Sequence, residues 1–118
     1  MSDRIPSLVN HMRHLFEVRA DESQGDGTLL ERFVQQQDEA AFAALVRRHG
    51  SMVLGVCRRI LGDAEDADDA FQATFLTLAC KGSSLRRKSS VAGWLYHVAG
   101  HVAGKARARA ARRRERER

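Results

Sequence analysis

Pro6 is the only proline in this chain of 118 residues, so almost nothing beyond it forbids helix. Proline is the residue that removes a backbone donor and clashes with the preceding turn. Downstream of Pro6, β-branched residues are sparse. Apolar residues recur at spacings of three and four, the period of an amphipathic helix rather than a strand. The chain therefore reads as all-α, a small helical bundle with a three-helix core and short helices before it. Hydrophobic residues make up 43% and aromatics 6%, enough for one modest core built mainly from Leu, Val and Ala. A domain of this size buries roughly two-thirds of its unfolded surface and can fold without metal or disulfide help.

The periodicity divides the chain into five helices. Leu8, Met12, Leu15 and Phe16 share a face over 7–19, and the polar stretch 21–27, DESQGDG, follows as a linker. Thr28 and Glu31 form a Thr-x-x-Glu capping-box signature, predicting a short helix over 28–37. Asp38 is placed to cap a helix over 39–61, whose apolar stripe is Phe42, Leu45, Val46, Val53, Val56, Cys57, Ile60 and Leu61. Gly50 and Gly55 interrupt it, which suggests a close helix–helix approach, and Gly62 supplies the stop. Asp63 caps a third helix over 64–80, with Gly82 as its terminator. The loop 82–90, GSSLRRKSS, is polar and basic. Ser89 or Ser90 then caps a helix over 90–104, along which Val91, Trp94, Leu95, Val98 and Val102 repeat at i, i+3, i+4, i+7 and i+11. This pattern predicts one core cluster of Phe42, Val53, Val56, Phe75, Trp94, Leu95 and Val98. After Gly104 the periodicity ends; KARARAARRRERER can remain helical, since Ala and Arg both favour helix, but it has no apolar face to bury.

Charge is divided as sharply as hydropathy. Residues 81–118 hold 12 Lys+Arg against 2 Asp+Glu, net +10, and residues 1–80 hold 8 against 13, net −5; together they give the overall +5. Halves of opposite sign fit two partners of opposite sign. Cys57 and Cys80 form no CxxC or Cys/His pattern, so both read as buried free thiols in a reducing, cytoplasmic setting. No apolar run approaches the ~20 residues of a membrane helix, and the N-terminus lacks the long apolar stretch and cleavage site of a signal peptide.

Three constellations stand out. Asp63, Glu65, Asp66, Asp68 and Asp69 crowd one helix N-terminus. The helix dipole favours such carboxylates by about 0.3–1 kcal/mol each, but like charges three and four apart repel, so an acidic patch for a basic protein explains them better. The glycine and terminal glutamate of a calcium loop are missing. The second constellation is the arginine-rich tail from Lys105, which is either a solvated extension or a binder of phosphate backbone. The third is Trp94 and Tyr96 beside His97 and His101. Trp94 fits the core stripe. Tyr96 either packs on a neighbouring helix or stacks on an unpaired base. His97 and His101 are spaced for a metal, but no HExxH pattern or third ligand accompanies them. No cofactor loop, nucleophile elbow or Cys/His pair appears, so the chain reads as neither an enzyme nor a cofactor protein.

The string DADDAFQATFL, Asp66 to Leu76, resembles the Asp-Ala-Glu-Asp-x-x-Gln-x-Thr-Phe-Leu signature of region 2 in extracytoplasmic-function (ECF) sigma factors. SVAGWLYHVAGHVAGKARARAARR resembles the family's Ser-Val-x-x-Trp-Leu-Tyr-x-Val-Ala segment, and AFAALVRRHGSMVLGVCRRILGD its first core helix. The Ala-rich version containing FQATFL is similar to ECF factors of planctomycete-like bacteria. The resemblance covers about 28–114, in order and with suitable gaps. It implies an N-terminal extension and linker over 1–27, a sigma region 2 domain over 28–114 and a basic tail over 115–118, with the family's second domain expected to be absent.

The resemblance also implies roles. Asp66, Asp69 and Gln72 would dock on the β′ clamp helices of core RNA polymerase. Arg86, Arg87 and Lys88 lie in the loop that accepts a flipped base of the promoter minus-ten element. Tyr96, His97, His101 and Lys105 match positions that hold the melted non-template strand, with Arg109, Arg112 and Arg113 available to phosphates. An anti-sigma factor is a possible further partner. Ala73 replaces a common acidic residue after the glutamine, and His101 replaces a common asparagine. A different reading keeps the same fold: a sigma-like interaction module that binds polymerase or an anti-sigma factor without initiating transcription.

Overall fold

The structure, a computed structural model, describes residues 24–85 and 90–117. The helix expected over 7–19 lies outside the described residues, as do Arg86, Arg87 and Lys88. Four α-helices follow one another: α1, Asp26–Gln36; α2, Glu39–Leu61; α3, Ala64–Lys81; and α4, Val91–Arg116, with a 3-10 turn at Gly82–Ser84 after α3. Among the described residues there is no strand. Helices α2, α3 and α4 pack against one another, α1 lies on α2, and the 3-10 turn touches both α1 and α3.

Local chemistry sets most boundaries. Asp38 accepts from the amides of Ala40 and Ala41 at 3.1 and 3.3 Å, satisfying two of the donors that a helix start leaves unpaired. Asp63 accepts from the Asp66 amide at 2.9 Å, and Ser90 from that of Gly93 at 3.0 Å. Gly62 ends α2 with φ 77°, a conformation glycine adopts without steric cost. The start of α1 departs from expectation. The helix begins at Asp26 with Gly25 as its cap and no side-chain cap bond, so Thr28 sits inside the first turn and the Thr-x-x-Glu pattern is not used as a cap. Asp26 takes over that end, where its charge complements the helix dipole. Its two carboxylate oxygens meet Arg48 Nη1 at 3.0 Å and His49 Nε2 at 2.7 Å on α2.

The core is one continuous cluster. A run of phenylalanines crosses it: Phe33 and Phe42 have ring centroids 4.7 Å apart, Phe42 meets Phe75 edge-on at 6.4 Å, and Phe71 lies 5.2 Å from Phe75. Such tilted and edge-on pairs add to the burial of the rings and join α1, α2 and α3. Phe42, Val53, Val56, Phe75 and Leu95 are buried as expected. Trp94 and Val98 are only half-buried. The inward seam of α4 is instead Val91, Leu95, Ala99 and Ala103, a fourfold spacing rotated from the Trp94/Val98/Val102 side. The reason is size, since two fully buried alanines let the α4 backbone approach α2 and α3 where a tryptophan could not fit.

Three further expectations change. Helix α4 continues past Gly104 to Arg116, and Ala106 and Ala110 there are half-buried, so the distal segment, expected to have no face to bury, does bury a narrow one. Cys57 is buried but Cys80 is exposed; burial pushes the Cys57 thiol pKa up. A side chain at Gly55 would meet only the Arg59 guanidinium, at 3.8 Å, so that glycine marks no close approach. The tight contact falls at Gly82, where a Cβ would stand 2.9 Å from Leu30 Cδ1.

The rotated seam predicts an asymmetry. Ala99→Leu should destabilise the domain by about 1–3 kcal/mol through overpacking, whereas Val98→Ala should cost less than about 1 kcal/mol. Urea unfolding followed by helix circular dichroism compares the two, and equal losses would put the seam elsewhere. Asp38 supplies a pH dependence. The Arg32 side chain bonded to its carboxylate holds the Asp38 pKa below its ordinary value, assisted by the Ala41 and Ala40 amides. A carboxylate lowered in the folded state adds stability above its unfolded pKa and loses it as pH falls through the folded one. Asp38→Asn keeps a capping oxygen but removes the charge. Its stability deficit should be full at neutral pH and close below about pH 4, as measured by thermal melts across that range.

Candidate functional site

Two surfaces carry the candidate residues. The first is the N-terminal half of α3. Asp63 is occupied as the helix cap. Thr74 anchors the opposite side of the helix, fully buried, donating to the Ala70 carbonyl at 2.8 Å. With that side inward, Asp69 is exposed and Asp66 and Gln72 are half-buried. The three succeed one another at i, i+3 and i+6, so adjacent members are neighbours on the helix surface. Among the described residues, no group of three His, Cys, Asp or Glu is arranged to hold a metal ion.

The second surface is α4, and the rotated seam decides what it exposes. With Val91, Leu95, Ala99 and Ala103 inward, His97, His101, Lys105 and Arg112 fall at i, i+4, i+8 and i+15 on the far side, all exposed. Tyr96 is 57% exposed and is the large hydrophobic most open to solvent among the described residues. It does not share the histidine stripe. Helical geometry puts it on the flank with Arg107 and Arg114, at i, i+11 and i+18, and both arginines are exposed. Arg107 was not singled out from sequence. Its spacing from Tyr96 becomes informative only once α4 is known to run beyond Gly104.

Arg109 and Arg113 depart from the expected grouping. They sit on the α3 side of α4 and line a groove of about 340 Å³ together with Val102 and Ala106; the α3 wall is Asp66, Asp69, Ala70 and Ala73. Sequence reasoning assigned the acids to a protein partner and the arginines to nucleic acid, as separate ends of the chain. The fold brings both sets into one depression. Alanines at 70, 73 and 106 keep it open, because no longer side chain fills the space between the charged rims.

The loop between these surfaces is described only at its ends. The 3-10 turn is fixed by the Leu85 amide donating to the Gly82 carbonyl at 3.1 Å and by packing against Leu30, and Ser90 restarts the chain as the α4 cap. Leu85 packs against the core. No helix among the described residues is long and apolar enough to cross a membrane.

Comparison with known proteins agrees with this layout. The chain is 35% identical over 74 residues to the RNA polymerase sigma-H factor of Pseudomonas aeruginosa; the aligned part is 63% of this chain and 38% of that protein. The chain thus spans well under half the length of the curated relative it matches. No solved structure gives a significant match. Residues 45–114 match the family described as Sigma-70 region 2. That stretch takes in most of α2, all of α3 and nearly all of α4, more than half of the chain, and so the protein belongs to the sigma-70 region 2 family.

Proposed function

We propose that this domain works in transcription initiation as a sigma factor, with no catalysis of its own, docking on core RNA polymerase through α3 and holding melted promoter DNA along α4. The observation that carries the reading is the placement of exposed carboxylates on α3 and of an exposed imidazole and cation stripe on α4 within one family-matched unit. The polymerase site is Asp66, Asp69 and Gln72, facing the β′ clamp helices. The Asp66–Leu76 motif supports an ECF-type member, and its Ala-rich form supports a planctomycete-like branch. The setting is the cytoplasm, where polymerase works, and an anti-sigma factor is a further partner for the same surfaces.

On the DNA side, the non-template strand of the minus-ten element runs along α4. Tyr96 stacks on an extruded base, a contact of about 1–3 kcal/mol that offsets the few kcal/mol of unstacking. His97 and His101 contact base edges. Lys105, Arg107 and Arg112 take phosphates. Arg86, Arg87 and Lys88 complete the base-accepting loop.

Two experiments test this. In a pull-down titration with core polymerase, Asp69→Ala and Gln72→Ala should each weaken binding about five- to tenfold, the loss of a contact worth about 1 kcal/mol or slightly more, with helix content unchanged. Wild-type affinity in both variants removes α3 as the docking surface. In assembled holoenzyme with a fluorescent non-template strand, Arg112→Ala should weaken all sequences alike and lower the log–log salt slope by about 0.7. His101→Ala should change sequence preference with little change in slope. Uniform losses in both would leave α4 as a sequence-blind basic helix. Run-off transcription that fails despite tight polymerase binding would make the domain an interaction module instead.

A further inference from the structure

The groove between α3 and α4 has one wall of each charge: Asp66 and Asp69 on α3, Arg109 and Arg113 on α4, with Ala70, Ala73 and Ala106 between them. Asp69, Arg109 and Arg113 are exposed and Asp66 is half-buried. Among the described residues no ion pair joins the two walls, so the charged groups of both are open to an incoming partner. Arg109 and Arg113 stand at i and i+4 on one edge of α4. Arg112 is adjacent to Arg113 in sequence, but neighbouring residues project about 100° apart around a helix, and Arg112 joins the outward stripe of His97, His101 and Lys105.

We propose that Arg109 and Arg113 are polymerase-docking residues and not DNA-binding ones. The proposal rests on α3 being the docking surface and extends that surface across the groove onto α4. The partner it fits is a helix of core polymerase with basic side chains along one edge, for Asp66 and Asp69, and acidic side chains along the other, for Arg109 and Arg113. Small or apolar side chains between those edges enter the alanine floor, as ridges pack into grooves. Guanidinium groups suit the second role, because their planar fork binds a carboxylate through two parallel hydrogen bonds. The second wall also gives direction. An acidic patch alone accepts a basic helix laid either way. With a wall of each sign, reversing the helix sets its basic edge against the arginines and its acidic edge against the aspartates, and like charges repel.

The test measures the affinity of the full chain for core polymerase. Arg109→Gln with Arg113→Gln should weaken binding about fivefold or more. Lys105→Gln with Arg112→Gln removes the same charge from the outward stripe and should bind within about twofold of wild type. Ala73→Leu fills the floor without altering charge and should weaken binding several-fold as well. In holoenzyme assembled at saturating polymerase, the log–log salt slope for a fluorescent non-template strand should fall by about 1.4 in the stripe pair, two contacts at about 0.7 each. It should stay at the wild-type value in the groove pair. Circular dichroism and urea unfolding check that every variant is folded.

Equal losses of polymerase affinity in the two pairs would mean that net charge alone acts, and the proposal falls. It falls too if the groove pair binds polymerase like wild type, or lowers the salt slope as much as the stripe pair does. Asp69→Ala separates this proposal from the reading of α3. If Asp69→Ala weakens binding and the groove pair does not, α3 docks polymerase without α4 and the proposal is overturned. If the groove pair weakens binding and Asp69→Ala does not, the assignment of the arginines stands and the α3 reading fails.

Discussion

The close approach of α4 to α2 and α3 governs nearly everything else in this domain. Ala99 and Ala103 are fully buried at the centre of the contact, and their small size allows the three helix backbones to pack tightly around Leu95. Once that seam faces inward, the rotation of α4 about its axis is fixed. A helix repeats every 3.6 residues, so fixing one face assigns every other residue. His97, His101, Lys105 and Arg112 go outward, Tyr96 to one flank, and Arg109 and Arg113 toward α3. A seam built on Trp94 and Val98 would turn the helix and present a different set of cations.

The polar ties around α1 do a complementary job. Asp26 spans from the first turn of α1 to Arg48 and His49 of α2. Asp38 caps α2 while pairing with Arg32 of α1. Gln37 between them sits at φ 54°, a left-handed conformation uncommon for a side chain of its size, and its amide bonds back to the Phe33 carbonyl at 2.9 Å. These contacts hold the short α1 over the phenylalanine run, since a helix of 11 residues has little stability alone. Through Leu30, α1 also meets Gly82 and so braces the start of the segment that joins α3 to α4.

The charge division along the chain takes on a different meaning in three dimensions. A net negative half and a net positive half look like separate binding ends. In the fold, the acidic start of α3 and the distal turns of α4 face each other across an alanine-floored groove. Residues of opposite charge thus line one groove, although they lie far apart in the chain. Much of the basic character of α4 remains directed outward.

Helix content, the caps at Asp38 and Asp63, a serine cap at 89 or 90, the stop at Gly62 and the family-level motif at Asp66–Leu76 were all legible in the sequence. Each depends on residues within a few positions of one another, where propensity, capping and spacing operate. The start of α1 differs from the sequence reading because Thr28 offers a local cap, while Asp26 meets Arg48 and His49, 22 and 23 positions away. The seam of α4 was misread because hydrophobicity marks what can be buried and not how closely two backbones can come. Alanine scores weakly as a core residue, yet it is what a tight crossing needs. The exposure of Cys80, the steric role of Gly82 and the split of Arg109 and Arg113 from Arg112 likewise follow from which helix lies beside which. Sequence by itself determined that the chain is helical and where its charges lie along it. Only the tertiary structure decided which of those charges face each other, because that depends on the rotation of packed helices set by contacts between residues far apart in the chain.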